Sequence, residues 1–249
     1  MPTQRLLLSG MPVALMAGMV LLSGCSHPPA GSNGALPENV PPPANASSAA
    51  GSGSSESAND NLALPAAVAQ ILSAAQRTGS VVERCECGAG SRLVEAHMVS
   101  RDVAQKPMDE AFKNIADRYP QIRRQEYGDG RVRVRDKQSR AGLLKVRVKE
   151  FLVIEDRPPQ ASLPALWQTP EVQAFMRKHH IRVARSGRAA GKVIRTSPTV
   201  IQTKNATVEQ ILDRMVDGYR TSSGRPLYHA WAYRECQSKA GTLIEIGIY

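Results

Sequence analysis

The stretch AQKPMDEAFKNIADRY, residues 104–119, aligns without gaps with a second stretch, KNATVEQILDRMVDGY, residues 204–219. In both stretches apolar residues recur at positions i, i+3, i+4 and i+7, which is the spacing of one face of an amphipathic helix. The aligned apolar pairs are Met108/Val208, Ala111/Ile211, Phe112/Leu212 and Ile115/Met215. The sequence therefore predicts two copies of one amphipathic helix.

Strand-like segments surround each predicted helix. In the first copy they are residues 92–99 before the helix and residues 121–127, 131–136 and 143–154 after it, with the turn Gly128-Asp129-Gly130 marking a hairpin. In the second copy they are residues 192–202 before the helix and residues 228–235 and 242–249 after it. Each copy reads β-α-β-β. We therefore predict an α+β fold of two units, each a helix packed on a small antiparallel sheet.

Composition separates a leader and a linker from this folded part. Residues 1–24 combine one early cation, Arg5, with an apolar run, which is the order of a secretory signal peptide. Residues 25–62 are mostly Pro, Ala, Gly, Ser and Asn, and so few large apolar side chains cannot offset the entropy cost of ordering. We expect residues 25–62 to be a disordered tether, residues 63–157 to be the first unit and residues 158–249 to be the second.

The end of the leader, Leu22-Ser23-Gly24-Cys25, resembles the lipobox of bacterial lipoproteins, in which an aliphatic residue and two small residues precede the cysteine. The resemblance implies that Cys25 is acylated and becomes the first residue of the mature protein. In enterobacterial lipoproteins an Asp after this cysteine favours retention in the inner membrane, so Ser26 implies a lipid anchor in the outer membrane, facing the periplasm. Two or three acyl chains give a stable anchor without a transmembrane helix. The alternative is an uncleaved anchor helix that ends in Cys by chance.

The two helices and their flanking strands resemble the short N-terminal domains of secretins and TonB-dependent receptors. The resemblance lies in the helix segments PMDEAFKNIA, residues 107–116, and TVEQILDRMV, residues 207–216, each followed by strands. It implies protein–protein contact in the periplasm rather than catalysis.

Positive charge is concentrated in the predicted folded part. Residues 1–62 hold one of the 32 Lys and Arg residues and three of the 22 Asp and Glu residues, so residues 63–249 have a formal net charge of +12. Such a balance favours anionic partners.

Six cations alternate with apolar residues and form the predicted binding face: Arg131, Arg133, Arg135, Lys145, Arg147 and Lys149. Side chains two apart in a strand share a face, so neighbouring strands would place all six on one outer surface. That surface either keeps the protein soluble or binds an anionic partner, such as lipopolysaccharide phosphates, an anionic glycan, DNA or an acidic protein. Aromatic side chains for stacking bases are scarce nearby, so we do not expect a nucleic-acid partner.

The strand at residues 228–235 carries Trp231 and Tyr233 on the same face. The opposite face has small alanines, which suit contact with the helix, so the two aromatics are predicted to be partly exposed. They either make a protein or glycan contact or pack against the other unit.

Three cysteines follow Cys25, and in an oxidising compartment the expected outcome is one disulfide and one free thiol. We predict that Cys236 bonds to Cys85 or Cys87, which share a strand face and are not distinguished by it. A redox-active pair at Cys85 and Cys87 is a second interpretation and requires an accessible thiolate of low pKa. A zinc site from these three cysteines and His229 is a third.

Catalytic motifs are not recognisable in the sequence: G-x-S-x-G, H-E-x-x-H and the P-loop are absent. We therefore expect no enzyme activity, no cofactor, no catalytic residue and no metal site. The sequence favours an outer-membrane-anchored periplasmic module that contacts an envelope protein or an anionic envelope component. The alternative is an envelope enzyme acting on glycan or peptide.

Overall fold

The computed structural model of the protein describes residues 60–89, 92–155, 158–184 and 199–249. The predicted signal peptide, the lipidation site Cys25 and the tether up to residue 59 lie outside these ranges. The helices are α1 (Leu64–Ala74), α2 (Arg101–Ala104), α3 (Met108–Arg118), α4 (Leu163–Trp167), α5 (Pro170–Lys178) and α6 (Val208–Gly218). The strands are β1 (Asn61–Ala63), β2 (Gly79–Arg84), β3 (Glu86–Gly88), β4 (Arg92–Val94), β5 (Met98–Ser100), β6 (Ile122–Glu126), β7 (Val132–Asp136), β8 (Arg147–Glu155), β9 (Ile181–Val183), β10 (Thr199–Thr207), β11 (Ala230–Ser238) and β12 (Gly241–Ile248).

Six strands form the central sheet, in the order β6-β7-β2-β11-β12-β9. The hairpins β6–β7 and β11–β12 are antiparallel, whereas β2 runs parallel to both β7 and β11. Gly79, at the start of β2, lies so close to β7 that a Cβ atom there would come within 2.0 Å of the Val132 carbonyl oxygen. The strand β2 therefore joins the two hairpins, and its first position excludes a side chain.

Alternate residues of the sheet fill two separate cores. On one face Val81, Val134 and Ala232 pack with α1 and α3. On the other face Val82 and Tyr233 pack with α6. Because helices cover both faces, β11 is buried at its first seven residues rather than at every second one.

The strands β8 and β10 form a separate two-stranded antiparallel ribbon, in which Ile154 lies opposite Val200 and Arg147 lies opposite Thr207. One side of the ribbon joins the core on the α6 side, through Val148, Phe151, Val153, Ile201 and Ala206. The strand β10 leads directly into α6, because Val208 is the first helical residue.

A capping box fixes the junction between β10 and α6. The Thr207 hydroxyl accepts a hydrogen bond from the Gln210 backbone N–H at 3.2 Å, and the Gln210 side chain accepts one from the Thr207 N–H at 2.9 Å. These two bonds satisfy donors that a helix start otherwise leaves unpaired. The capping box therefore fixes the position at which the ribbon ends and α6 begins.

The predicted α+β class and the β-α-β-β order are confirmed: β5, α3, β6 and β7 form the first copy, and β10, α6, β11 and β12 form the second. The strand partners differ from the prediction, because β5 pairs with β1 and β10 pairs with β8. The hairpins β6–β7 and β11–β12 belong to one six-stranded sheet, with β2 between them. The boundary predicted at residue 158 therefore separates two segments that contribute strands to the same sheet. The strand β1 begins at Asn61, inside the segment 25–62 predicted as tether.

Candidate functional site

Three arginines of the predicted basic face lie between the sheet and α6, where their side chains are mostly buried. They are Arg131, Arg133 and Arg135, with side-chain exposures of 17%, 15% and 30%. Their partners are three acids of α6. Arg131 forms ion pairs with Asp213 at 3.2 Å and with Asp217. Arg133 forms ion pairs with Glu209 at 2.9 Å and with Asp213 at 3.1 Å, and Arg135 forms an ion pair with Glu209.

The spacing of the two rows explains this match. Residues two apart in a strand are roughly 6.6 Å apart, and residues four apart in a helix are roughly 6 Å apart. The three acids of α6 are spaced four residues apart and the three arginines two apart, so the rows stay in step over their whole length. The acidic row, which the sequence shows plainly, was the missed signal.

The prediction of a single six-cation face is therefore wrong. The strand β7 pairs with β6 and β2, whereas β8, which carries Arg147 and Lys149, pairs with β10. Arg147 and Lys149 therefore belong to a different sheet from β7, and Lys145 lies in the turn before β8. Lys145, Arg147 and Lys149 are exposed, as predicted.

The predicted exposure of Trp231 and Tyr233 is also wrong: they are 0% and 1% exposed. Both pack in the core on the α6 side, which joins residues of the two predicted units, such as Leu143 and Phe151 of the first, as the alternative of packing against the other unit requires. The Trp231 indole N–H donates to Asp213 Oδ1 at 2.8 Å, and the Tyr233 hydroxyl donates to Glu235 Oε2 at 3.1 Å. Neither side chain is available for an external contact.

Asp213 is the central acid of the row on α6. Burial raises the pKa of its carboxyl group, while the Trp231 hydrogen bond and the charges of Arg131 and Arg133 act in the opposite direction. The net direction is upward, so ionised Asp213 costs the folded state free energy that its partners only partly return.

The cysteine arrangement decides between the predicted pairs. The Sγ atoms of Cys87 and Cys236 lie 2.12 Å apart, which is a disulfide separation, and Cys85 is a buried free thiol. Burial, and next the charge of Glu83, raise the pKa of the Cys85 thiol to about 12. Cys85 therefore lacks the low pKa that a redox pair requires, and the bond between Cys87 and Cys236 uses two of the ligands that the zinc interpretation needed.

A buried charge network around Arg234 was not predicted. The Arg234 guanidinium donates to Glu83 at 3.0 Å, to Glu245 at 2.8 Å and to Glu95 at 2.7 Å. The Glu83 side chain is 0% exposed and also lies 3.2 Å from His97 Nδ1. The network connects β2, β11, β12 and the segment after β4, so it acts as a junction of the fold. The sequence signal for it is a charged residue within each of two largely apolar strands: Glu83 in β2 and Arg234 in β11.

Other candidate sites contribute little in the part of the chain that the structure describes. No group of three or more His, Cys, Asp or Glu side chains there is arranged to hold a metal ion. A shallow depression of about 530 Å³ lies beside α3 and β6, where Arg124 pairs with Asp109 at 2.7 Å and stacks over the Phe112 ring. The acid Asp109 of this depression is therefore already paired with Arg124.

The described ranges include no helix that is long and apolar enough to cross a bilayer.

The outer side of the β8–β10 ribbon is the surface with unused binding capacity, and we call it the ribbon face. Its far end carries Leu152, Ile154 and Val200, which are 53%, 67% and 60% exposed. The end nearer α6 is exposed and basic: it carries Arg147, Lys149 and Lys204, with the acid Glu150 opposite Lys204, and the exposed Lys145 ends the 3-10 turn just before β8. Among the described residues none of these four cations forms an ion pair with a side chain, and neither strand of the ribbon pairs with a third strand.

No protein-family model, curated protein or solved structure matches this chain. The ribbon face, built from the exposed half of the predicted basic residues, Lys204 and three apolar residues at the other end of the ribbon, is the candidate interaction surface of this chain.

Proposed function

We propose that the chain is an outer-membrane-anchored periplasmic lipoprotein that acts as an interaction or envelope-assembly module, with the ribbon face as its docking surface. The segment from Leu22 to Cys25 and the following Ser26 support the anchor and its address. Residues 26–59 supply a linker rich in Pro, Gly, Ser and Ala between the anchor and the folded part.

The exposed apolar end of the ribbon face is the observation that carries the proposal. Ile154 and Val200 are directly opposite each other, and Leu152 is two residues from Ile154 on the same strand. Scattered single apolar residues are ordinary on a protein surface, but three adjacent ones on the same face as a basic zone are typical of a contact surface. The unpaired strand edges of the ribbon add backbone donors and acceptors that a partner strand can use.

The anchor is tested by Cys25→Ser. The variant should accumulate as an unprocessed precursor and should not incorporate labelled palmitate, because the thiol that takes the lipid is gone. The matched control is Cys85→Ser, which removes a buried thiol and should leave labelling intact. Palmitate incorporation that survives Cys25→Ser would remove the lipoprotein proposal.

The docking function is tested by recovering the tagged protein from detergent-solubilised envelopes. Leu152→Glu should lose a partner that the parent protein recovers in stoichiometric amount, whereas Val94→Glu, at an apolar residue that is 45% exposed on β4, should keep it. Equal recovery by both variants would move the docking site away from the ribbon. Turnover of muropeptides that both variants retain would instead support the enzyme alternative.

A further inference from the structure

The ribbon face has two zones along one strand direction. From Arg147 to Ile154 the strand β8 advances seven residues, which is roughly 23 Å at the usual rise. The cations lie at the end near α6 and the apolar residues at the other end, and all of them are on the side that faces away from the core. A partner that fits the whole face must therefore offer anionic groups and apolar groups within about 20 Å of each other.

A bilayer surface that contains anionic phospholipids has this composition. Lysine and arginine contact lipid phosphates, and their aliphatic stems lie along neighbouring apolar surface. Leucine, isoleucine and valine enter the boundary between headgroups and acyl chains. Among the described side chains of the face Glu150 is the one acid, and it is opposite Lys204, so the basic zone keeps a net positive charge.

A second copy of the chain fits the face less well. Two ribbon faces brought together would set basic zone against basic zone, which repel, or basic zone against apolar zone, which leaves the cations without anionic partners. Three exposed apolar side chains also fall well short of the roughly 800 Å² per partner that a stable protein interface buries. A weak contact suffices, however, when the protein is already held at the surface it binds.

The proposed lipid anchor provides that condition. Cys25 and Asp60 are 35 residues apart in the sequence. The composition of that segment predicts a coil, for which the end-to-end distance is roughly 30–35 Å, comparable to the width of a folded part with a radius of gyration of about 16 Å. The ribbon face therefore stays at high effective concentration beside the membrane, so a contact of low intrinsic affinity is occupied.

We propose that the ribbon face docks on the anionic phospholipid surface of the membrane that anchors the chain, and thereby orients the folded part. This inference rests on the proposed function and names the partner of its docking surface. Contact through the face places the β8–β10 ribbon against the bilayer. The acyl anchor and the ribbon together then fix the orientation of the folded part relative to the membrane, which the linker alone does not fix.

Vesicle binding by residues 26–249 without the lipid tests the proposal. That segment contains every residue that the structure describes. Cosedimentation is measured with vesicles of phosphatidylcholine alone and with added phosphatidylglycerol, at several salt concentrations. Binding is expected only to the anionic vesicles and should fall steeply as salt is raised, because the contact depends on exposed charges.

Matched variants separate the ribbon face from general basic charge. Lys145→Gln with Lys149→Gln should weaken binding about 25-fold, at roughly fivefold per cation. Lys113→Gln with Lys239→Gln removes the same charge from α3 and from the β11–β12 turn and should have a much smaller effect.

The apolar zone is tested in the same assay. Ile154→Thr with Val200→Thr should weaken binding, and Val94→Thr on β4 should not. Circular dichroism and urea unfolding of each variant confirm that the fold is intact.

Three results would overturn the inference: equal losses for the two lysine pairs, binding to zwitterionic vesicles that equals binding to anionic ones, or threonine variants that bind like the parent. If vesicle binding fails in one of these ways while Leu152→Glu still loses an envelope protein, the partner is a protein and the interaction module stands. If both assays are insensitive to the ribbon face, the lipid inference and the docking function fall together.

Discussion

Replacing Arg234 by Met keeps the length and apolar stem of the side chain but removes the charge at the centre of the buried network. The Arg234 side chain is 5% exposed, and its partner Glu83 is 0% exposed. Without the guanidinium, Glu83 is a buried carboxylate that keeps the weak hydrogen bond from the Cys85 thiol and the contact with His97. Removing one member of a buried ion pair usually costs about 3–5 kcal/mol, because the other charge loses its compensation but not its burial. We expect a loss of about 4 kcal/mol, a large part of the 5–15 kcal/mol that typically stabilises a domain.

Urea unfolding followed by tryptophan fluorescence measures this loss, because Trp231 is completely buried in the folded protein. In thermal unfolding the same change should lower Tm by about 8–16 °C for a domain of this size. Arg225→Met, at an exposed position, is the matched control and should change stability by less than about 0.5 kcal/mol. Combining Arg234→Met with Glu83→Gln should cost less than the sum of the single changes, because the uncompensated charge is removed. A loss below about 1 kcal/mol for Arg234→Met would refute the reasoning, since it would mean that solvent reaches Glu83.

Three further predictions concern other parts of the fold. Cys85, whose thiol pKa is raised to about 12, should react with iodoacetamide at about pH 8 far more slowly in the folded protein than in urea, and equal rates would contradict its burial. The carboxyl pKa of Asp213 is raised above its unfolded value, so its contribution to stability is fully present below the unfolded pKa and is lost as pH rises through the folded pKa. Lowering the pH from neutral should therefore stabilise the parent relative to Asp213→Asn in urea titrations. A shift in the other direction would show that the pKa is depressed. Gly79→Ala should destabilise by about 1–3 kcal/mol in chemical denaturation because its Cβ meets β7, whereas Gly128→Ala, which has open space around it, should stay within about 0.5 kcal/mol.

Local structure was predictable from the sequence because its causes are local. The apolar spacing in residues 104–119 and 204–219 predicted α3 and α6, which begin at Met108 and Val208. The turn residues after each helix predicted the hairpins β6–β7 and β11–β12. Periodicity and turn chemistry act over a few residues, so one sequence is enough to read them.

Strand partners and covered faces were not predictable in the same way. Alternation placed Arg131, Arg133 and Arg135 on one face of β7 correctly, but it does not say what lies over that face. The partner is α6, about 80 residues away in the chain, and the choice between solvent and an acidic helix is made by tertiary packing. The same limit applies to Trp231, whose alternation was right and whose exposure was wrong. The choice of Cys87 over Cys85 likewise depends on the position of β3, which parity within a strand does not fix.

The parallel pairing of β2 with β11 has a consequence for the order in which the chain folds. Residue 79 lies opposite residue 230, so the middle of the sheet joins segments from the two ends of the folded part. Closing so long a loop is entropically costly before any contact repays it, and folds dominated by such distant contacts form slowly. A growing chain makes β2 early but completes the sheet only after residues 230–238 have emerged. Until that moment the edge of β2 that pairs with β11 stays open, and the core around α1 and α3 lacks the two alanines, Ala230 and Ala232, that β11 contributes.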